Sequence, residues 1–271
     1  MKFIALFGLF IFLASCQHTT DRGPSSAIGL TPRFTLNKLN SIANKHTLII
    51  THASTQFDEA RTAKDGVDQL VREFKAKGLP VVYLVNDQSP LGYQRWYTAD
   101  RSPDFEIFSE GGEHNLPVHG NEITIVGGFV GSTDTLNGCQ TLAMKDAIRM
   151  HFEVSKSPLT IHVPVKATYT FGEWSNIRES MLKSGWVDLK DIQFKYPFAS
   201  LMFLRGGIYG DDGNEPFFAH NYSQHENKSY RQGEEVSREK YQFNFYINDK
   251  LLESVKDGPN KRIVNIRFKT K

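Results

Sequence analysis

The sequence predicts an α/β protein: a three-layer, doubly wound, mostly parallel sheet, followed by a C-terminal antiparallel β appendage. Three observations predict it. Between residues 46 and 185, short β-rich apolar runs alternate with helical stretches, the pattern of a sheet covered on both faces. The first repeat reads strand, helix, Gly78-Leu79-Pro80, strand, which is a βαβ unit with a right-handed crossover. Beyond Gly185 the period changes, and residues 241–247 and 262–268 alternate between apolar and polar, as strands with one wet face do.

The elements follow in order. Thr47-Leu48-Ile49-Ile50-Thr51 reads as a buried strand. A helix is expected over about 57–77, because Ala60, Ala63, Val67, Leu70, Val71 and Phe74 recur on one face, and Gly78 with Pro80 stops it. Residues 81–85, 105–108, 122–126 and 159–163 read as four further strands, and about 135–152 and 174–183 as helices. After residue 205 comes a polar insert at 206–240, then the alternating strands, with Asp257-Gly258-Pro259-Asn260 as a turn signal.

The start of the chain carries its own signal. Met1-Lys2, an apolar run over 3–14 and then Ser15-Cys16 form a secretory signal too short to span a bilayer. Leu13-Ala14-Ser15-Cys16 resembles the bacterial lipobox, which implies lipidation of Cys16. The expected organisation is a signal and lipidation site at 1–16, a tether at 17–45, an α/β core at 46–205, and the insert with a β-hairpin appendage at 206–271. Gln17 follows the cysteine instead of aspartate, which favours the outer membrane, facing the periplasm or the cell surface, in a bacterium with two membranes.

Of 271 residues, 39% are hydrophobic and 23% charged, an ordinary globular balance. A net charge of +2 argues against nucleic acid as a partner. The expected partners are the membrane, through the lipid on Cys16, and a small ligand or an envelope protein. With Cys16 lipidated, Cys139 has no second cysteine to pair with inside the chain. Neither His114 with His119 nor His220 and His225 with Asp211 and Asp212 has a known ligand spacing, so no metal is expected, and no cofactor is expected either.

Ligands of open parallel sheets bind beyond the carboxyl ends of the strands. That rule points to Thr51 and His52 after the first strand, Asp87 after the second, Ser109 and Glu110 after the third, and Gly128, Ser132 and Thr133 after the fourth. The glycine-rich connection then reaches Cys139, near a helix start where the dipole stabilises a thiolate. The plainer reading is a connecting loop with Asp134 or Thr135 as helix cap and Cys139 as a small buried residue.

Strand, Gly127-Gly128, a threonine-containing loop and Cys139-Gln140-Thr141-Leu142-Ala143-Met144-Lys145-Asp146-Ala147 resemble the isochorismatase-like cysteine hydrolases. The resemblance implies a nucleophilic cysteine at Cys139, an aspartate base at the end of the first strand and a lysine after the third. Thr51 stands where the aspartate is expected, and Ser109 near the place of the lysine. Threonine is no general base at neutral pH. The expectation is therefore a membrane-anchored lipoprotein with a non-catalytic isochorismatase-like domain. The alternative is a hydrolase of amide or C–N bonds, with Cys139 as nucleophile and His52 or Glu110 as substitute base.

Overall fold

The computed structural model describes residues 42–54, 57–85, 103–109, 112, 114, 116–128, 138–170, 173–187, 241–256 and 262–271. Cys16, the tether, Asp87, Glu110, Ser132, Thr133 and the insert at 206–240 lie outside the described residues. The elements are β1 (Thr47–Thr51), a 3-10 turn (Asp58–Ala63), α1 (Lys64–Ala76), β2 (Val81–Val85), β3 (Phe105–Phe108), β4 (Glu122–Gly128) and α2 (Cys139–Val154). There follow β5 (Leu159–Pro164), a second 3-10 turn (Val165–Ala167), β6 (Thr168–Tyr169), α3 (Glu173–Ser184), β7 (Tyr241–Ile247), β8 (Lys250–Lys256) and β9 (Arg262–Lys269).

All of these strands join one sheet in the order β3-β2-β1-β4-β5-β9-β7-β8, with β6 beside the far end of β4. Every pairing is parallel except β7 with β8. The strand order reverses between β1 and β4, which makes their carboxyl ends the switch point where such sheets hold ligands. Leu48 and Ile50 face α1, packing with Val67, Val71 and Phe74, while Ile49 between them faces α2 and α3. That alternation makes the three layers.

Local chemistry explains where the elements depart from expectation. The first helix opens as a 3-10 turn: its cap residue is Phe57, whose side chain offers no cap hydrogen bond, and the early amides are met by tighter bonds. It ends as expected at Gly78, whose φ of 64° suits a residue without Cβ. α2 starts at Cys139, with Gly138 as its cap and not Asp134 or Thr135.

The antiparallel pair at the C-terminus is present and is joined to the sheet. β9 pairs with β5 over residues 159–164. Tyr241, Phe243, Phe245, Ile247, Val264, Ile266 and Phe268 share one core with Phe152 of α2 and Met181 of α3. Burying each such Phe or Ile contributes roughly 1.5–3 kcal/mol, which ties these strands to the main core. Between β7 and β8 the turn is Asn248-Asp249, with φ of 48° and 67°, the left-handed pair a tight hairpin requires.

Candidate functional site

The sheet's switch point lies where β1 gives way to His52 and β4 to Gly127 and Gly128. The strand register sets Thr51 beside Gly127, and Gly127 beside Thr168. Gly127 has φ of 95°, and a Cβ there would collide with the backbone of Thr51. A Cβ on Gly128 would run into the ring of Tyr169. The two glycines therefore let β4 close against both neighbours. This is a packing role, and no ligand contact of Gly128 is needed to account for it.

His52 leaves β1 at φ 48°, an uncommon conformation for a residue with a side chain. Four backbone contacts hold its short segment. His52 donates its N–H to the carbonyl of Leu84 at 3.1 Å, and Tyr169 donates its hydroxyl to the carbonyl of His52 at 3.1 Å. The Tyr83 hydroxyl donates to the carbonyl of Ala53. The ring Nε2 donates to the carbonyl of Ser109, 2.7 Å away. That last bond assigns the proton to Nε2 and leaves Nδ1 as an unprotonated base. Burial pushes the His52 pKa down to about 4, against a smaller upward pull from the Ser109 carbonyl, so the ring is neutral at physiological pH.

Ser109 is buried just past β3, and its hydroxyl accepts the N–H of Gly112 at 2.8 Å. Gly112, at φ 112°, lies so close to the carbonyl of Cys139 that a side chain there would collide with it. A continuous set of contacts thus runs from His52 through Ser109 and Gly112 to the first residue of α2. Cys139 itself is buried and packs in the cluster that contains Ala53 and Tyr169.

Three buried side-chain atoms at this end have no hydrogen-bond partner among the described residues: Thr51 Oγ1, His52 Nδ1 and Gln140 Oε1. Gln140 is fully buried, and its amide donates to the carbonyl of Ile125 at 2.8 Å and to Thr168 Oγ1 at 3.3 Å. Leaving a buried polar atom unpaired costs about 1–3 kcal/mol, so each of the three demands a reason. The sequence singled out Thr51 and His52 but not Gln140 or Tyr169; adjacency to Cys139 was the only available signal for Gln140.

Among the described residues, the triad that the resemblance implies is matched only at Cys139. Thr51 and Ser109 do stand at the ends of β1 and β3, without the acid and the lysine that the resemblance implies. His52 Nδ1 makes no hydrogen bond to the thiol. Asp146, the acid of the Asp-Ala pair, is spent on structure. It accepts the N–H of His114 at 2.8 Å and pairs with Arg149 at 2.6 Å. His114 and Arg149 hold its carboxyl below the usual carboxylate range despite burial.

The sequence matches no protein-family model and no curated protein. Among solved structures, the chain is similar to an isochorismatase family protein from Burkholderia thailandensis, at 11% identity. The similarity covers 52% of this chain and 86% of that one, with a TM-score of 0.32.

Proposed function

We propose that this chain is a membrane-anchored envelope lipoprotein whose α/β domain binds a small polar ligand at the carboxyl ends of β1 and β4 without cleaving it. The observation that carries the reading is that Thr51 Oγ1, His52 Nδ1 and Gln140 Oε1 are each buried and without partners among the described residues. Two of these can only accept, so the matching ligand carries hydrogen-bond donors such as a carboxamide or amino-heterocycle edge. The missing carboxylate at Thr51 supports binding over turnover. The lipobox-like start supports anchoring through Cys16, and the domain is then held at the membrane as a receptor or carrier. An envelope protein partner is the second occupant compatible with this reading.

Native mass spectrometry on protein released from the envelope tests it. The expected result is a retained small molecule that is lost in Gln140→Leu. Palmitate labelling that disappears in Cys16→Ala checks the anchor. Turnover of an amide substrate that disappears in Cys139→Ala would replace binding with hydrolysis. The hydrolase reading has one observation in its favour, the neutral, unprotonated Nδ1 of His52.

A further inference from the structure

The opposite end of the sheet holds a second polar group, independent of the proposed ligand site. His46 directly precedes β1, Glu122 opens β4 and His162 lies within β5. The strand register brings them together. Thr47 pairs with Ile123 and Thr124 pairs with His162, so all three side chains emerge on the face that carries α1. His46 Nδ1 lies 3.6 Å from Glu122 Oε2, and His162 Nε2 lies 3.8 Å from the same oxygen. One ligand atom from each residue falls within 4.8 Å of the other two.

These separations are too long for direct hydrogen bonds. They are close to those around a shared ion: donors bound tetrahedrally at about 2.0–2.2 Å lie roughly 3.4 Å apart. His46 is also oriented from behind, with Nε2 at 2.8 Å from Thr124 Oγ1. Such an outer hydrogen bond fixes a ligating imidazole and leaves its other nitrogen for the metal. The ring of His46 rests edge-on against Phe74 of α1, with centroids 5.3 Å apart.

We propose that His46, Glu122 and His162 form a three-ligand site for a divalent transition metal ion of the zinc class, stapling β1, β4 and β5. Two imidazoles and one carboxylate suit zinc and its neighbours; magnesium and calcium prefer sets of oxygen ligands. Glu122 is 57% exposed on its side chain, against 29% for His46 and 23% for His162, so the fourth position opens to water. Burial lowers both histidine pKa values, and their mutual proximity lowers that of His162 further, which keeps the lone pairs available at neutral pH. The cationic groups facing the cluster are Lys77, Arg267 and Lys269. Arg267 and Lys269 are both paired with Asp249, which offsets their repulsion of a metal ion.

Cobalt titration of the full-length chain, followed by zinc displacement, tests the site. The expected result is one saturable Co²⁺ site with d–d absorption bands, displaced by Zn²⁺. Zn²⁺ should also raise the thermal midpoint where Mg²⁺ does not. His162→Gln and Glu122→Gln should each weaken binding by at least about tenfold. The exposed Glu122→Gln decides the matter if His162→Gln fails to fold. Zn²⁺ binding of equal strength in wild type and both variants, cobalt–thiolate charge-transfer bands, or no saturation below about 100 μM would overturn the proposal.

Discussion

The two ends of this sheet solve opposite problems with similar residues. At the carboxyl end, His52 is clamped by backbone: its Nε2 serves Ser109, its carbonyl receives Tyr169, and its neighbours are glycines that no other residue could replace. At the amino end, His46 and His162 approach a partly exposed carboxylate at distances that no direct hydrogen bond satisfies. The lesson is that a histidine's role follows from what holds each of its nitrogens. The first histidine is a neutral structural group with one unused acceptor; the other two are paired for a shared ion.

Substitutions at the two ends should differ sharply in cost. The largest effect is expected for Gly127→Ala, where positive φ and collision with the Thr51 backbone coincide. We expect more than about 4 kcal/mol of destabilisation or no folded protein, read by urea unfolding. Next comes Asp146→Asn, which removes the charge that pairs with Arg149 and weakens the cap on His114. A loss of about 2–3 kcal/mol in the same assay is the expected outcome.

Acid should act mainly through the histidines. His52 falls from an ordinary 6.5 to about 4 in the folded state, so between those values the unfolded chain binds more protons. Stability is thus full above about pH 6.5 and declines as pH falls toward 4, by on the order of 3 kcal/mol for His52 alone. The lowered values of His46 and His162 act in the same direction. Thermal midpoints from pH 8 to pH 4 check this, and a flat profile would show that His52 is not buried as a neutral ring. At the small end, Cys139→Ala should cost no more than about 1 kcal/mol. Glu122→Gln in metal-free protein should stay within about 0.5 kcal/mol, as exposed positions do. A large cost at Glu122 without metal would erase the contrast between the two ends.

Local pattern made much of this fold legible. The apolar runs at 47–51, 81–85 and 105–108 are β1, β2 and β3, and Tyr241–Ile247 is β7. What escaped depends on partners distant in sequence. Nothing along the chain says that β9 lies beside β5, or that two residues after the second 3-10 turn form β6 against Gly127 and Gly128. The Asn248-Asp249 turn lacks the usual glycine, and the Asn248 side chain compensates by bonding the Gly185 carbonyl and Thr270. The site shows the same division. Thr51, His52, Ser109 and Cys139 could be read from strand and helix ends, because the switch-point rule needs only topology. His46, Glu122 and His162 are united by register alone, and no spacing announces them.

Binding without turnover, as proposed, requires that no neighbouring base activates the Cys139 thiol. Alkylation of the folded protein by iodoacetamide across pH measures this directly. The account predicts slow labelling that rises only above about pH 8, where an ordinary thiol ionises. Rapid labelling below pH 7 that is abolished by His52→Asn would contradict it and make this end of the sheet a working catalytic centre.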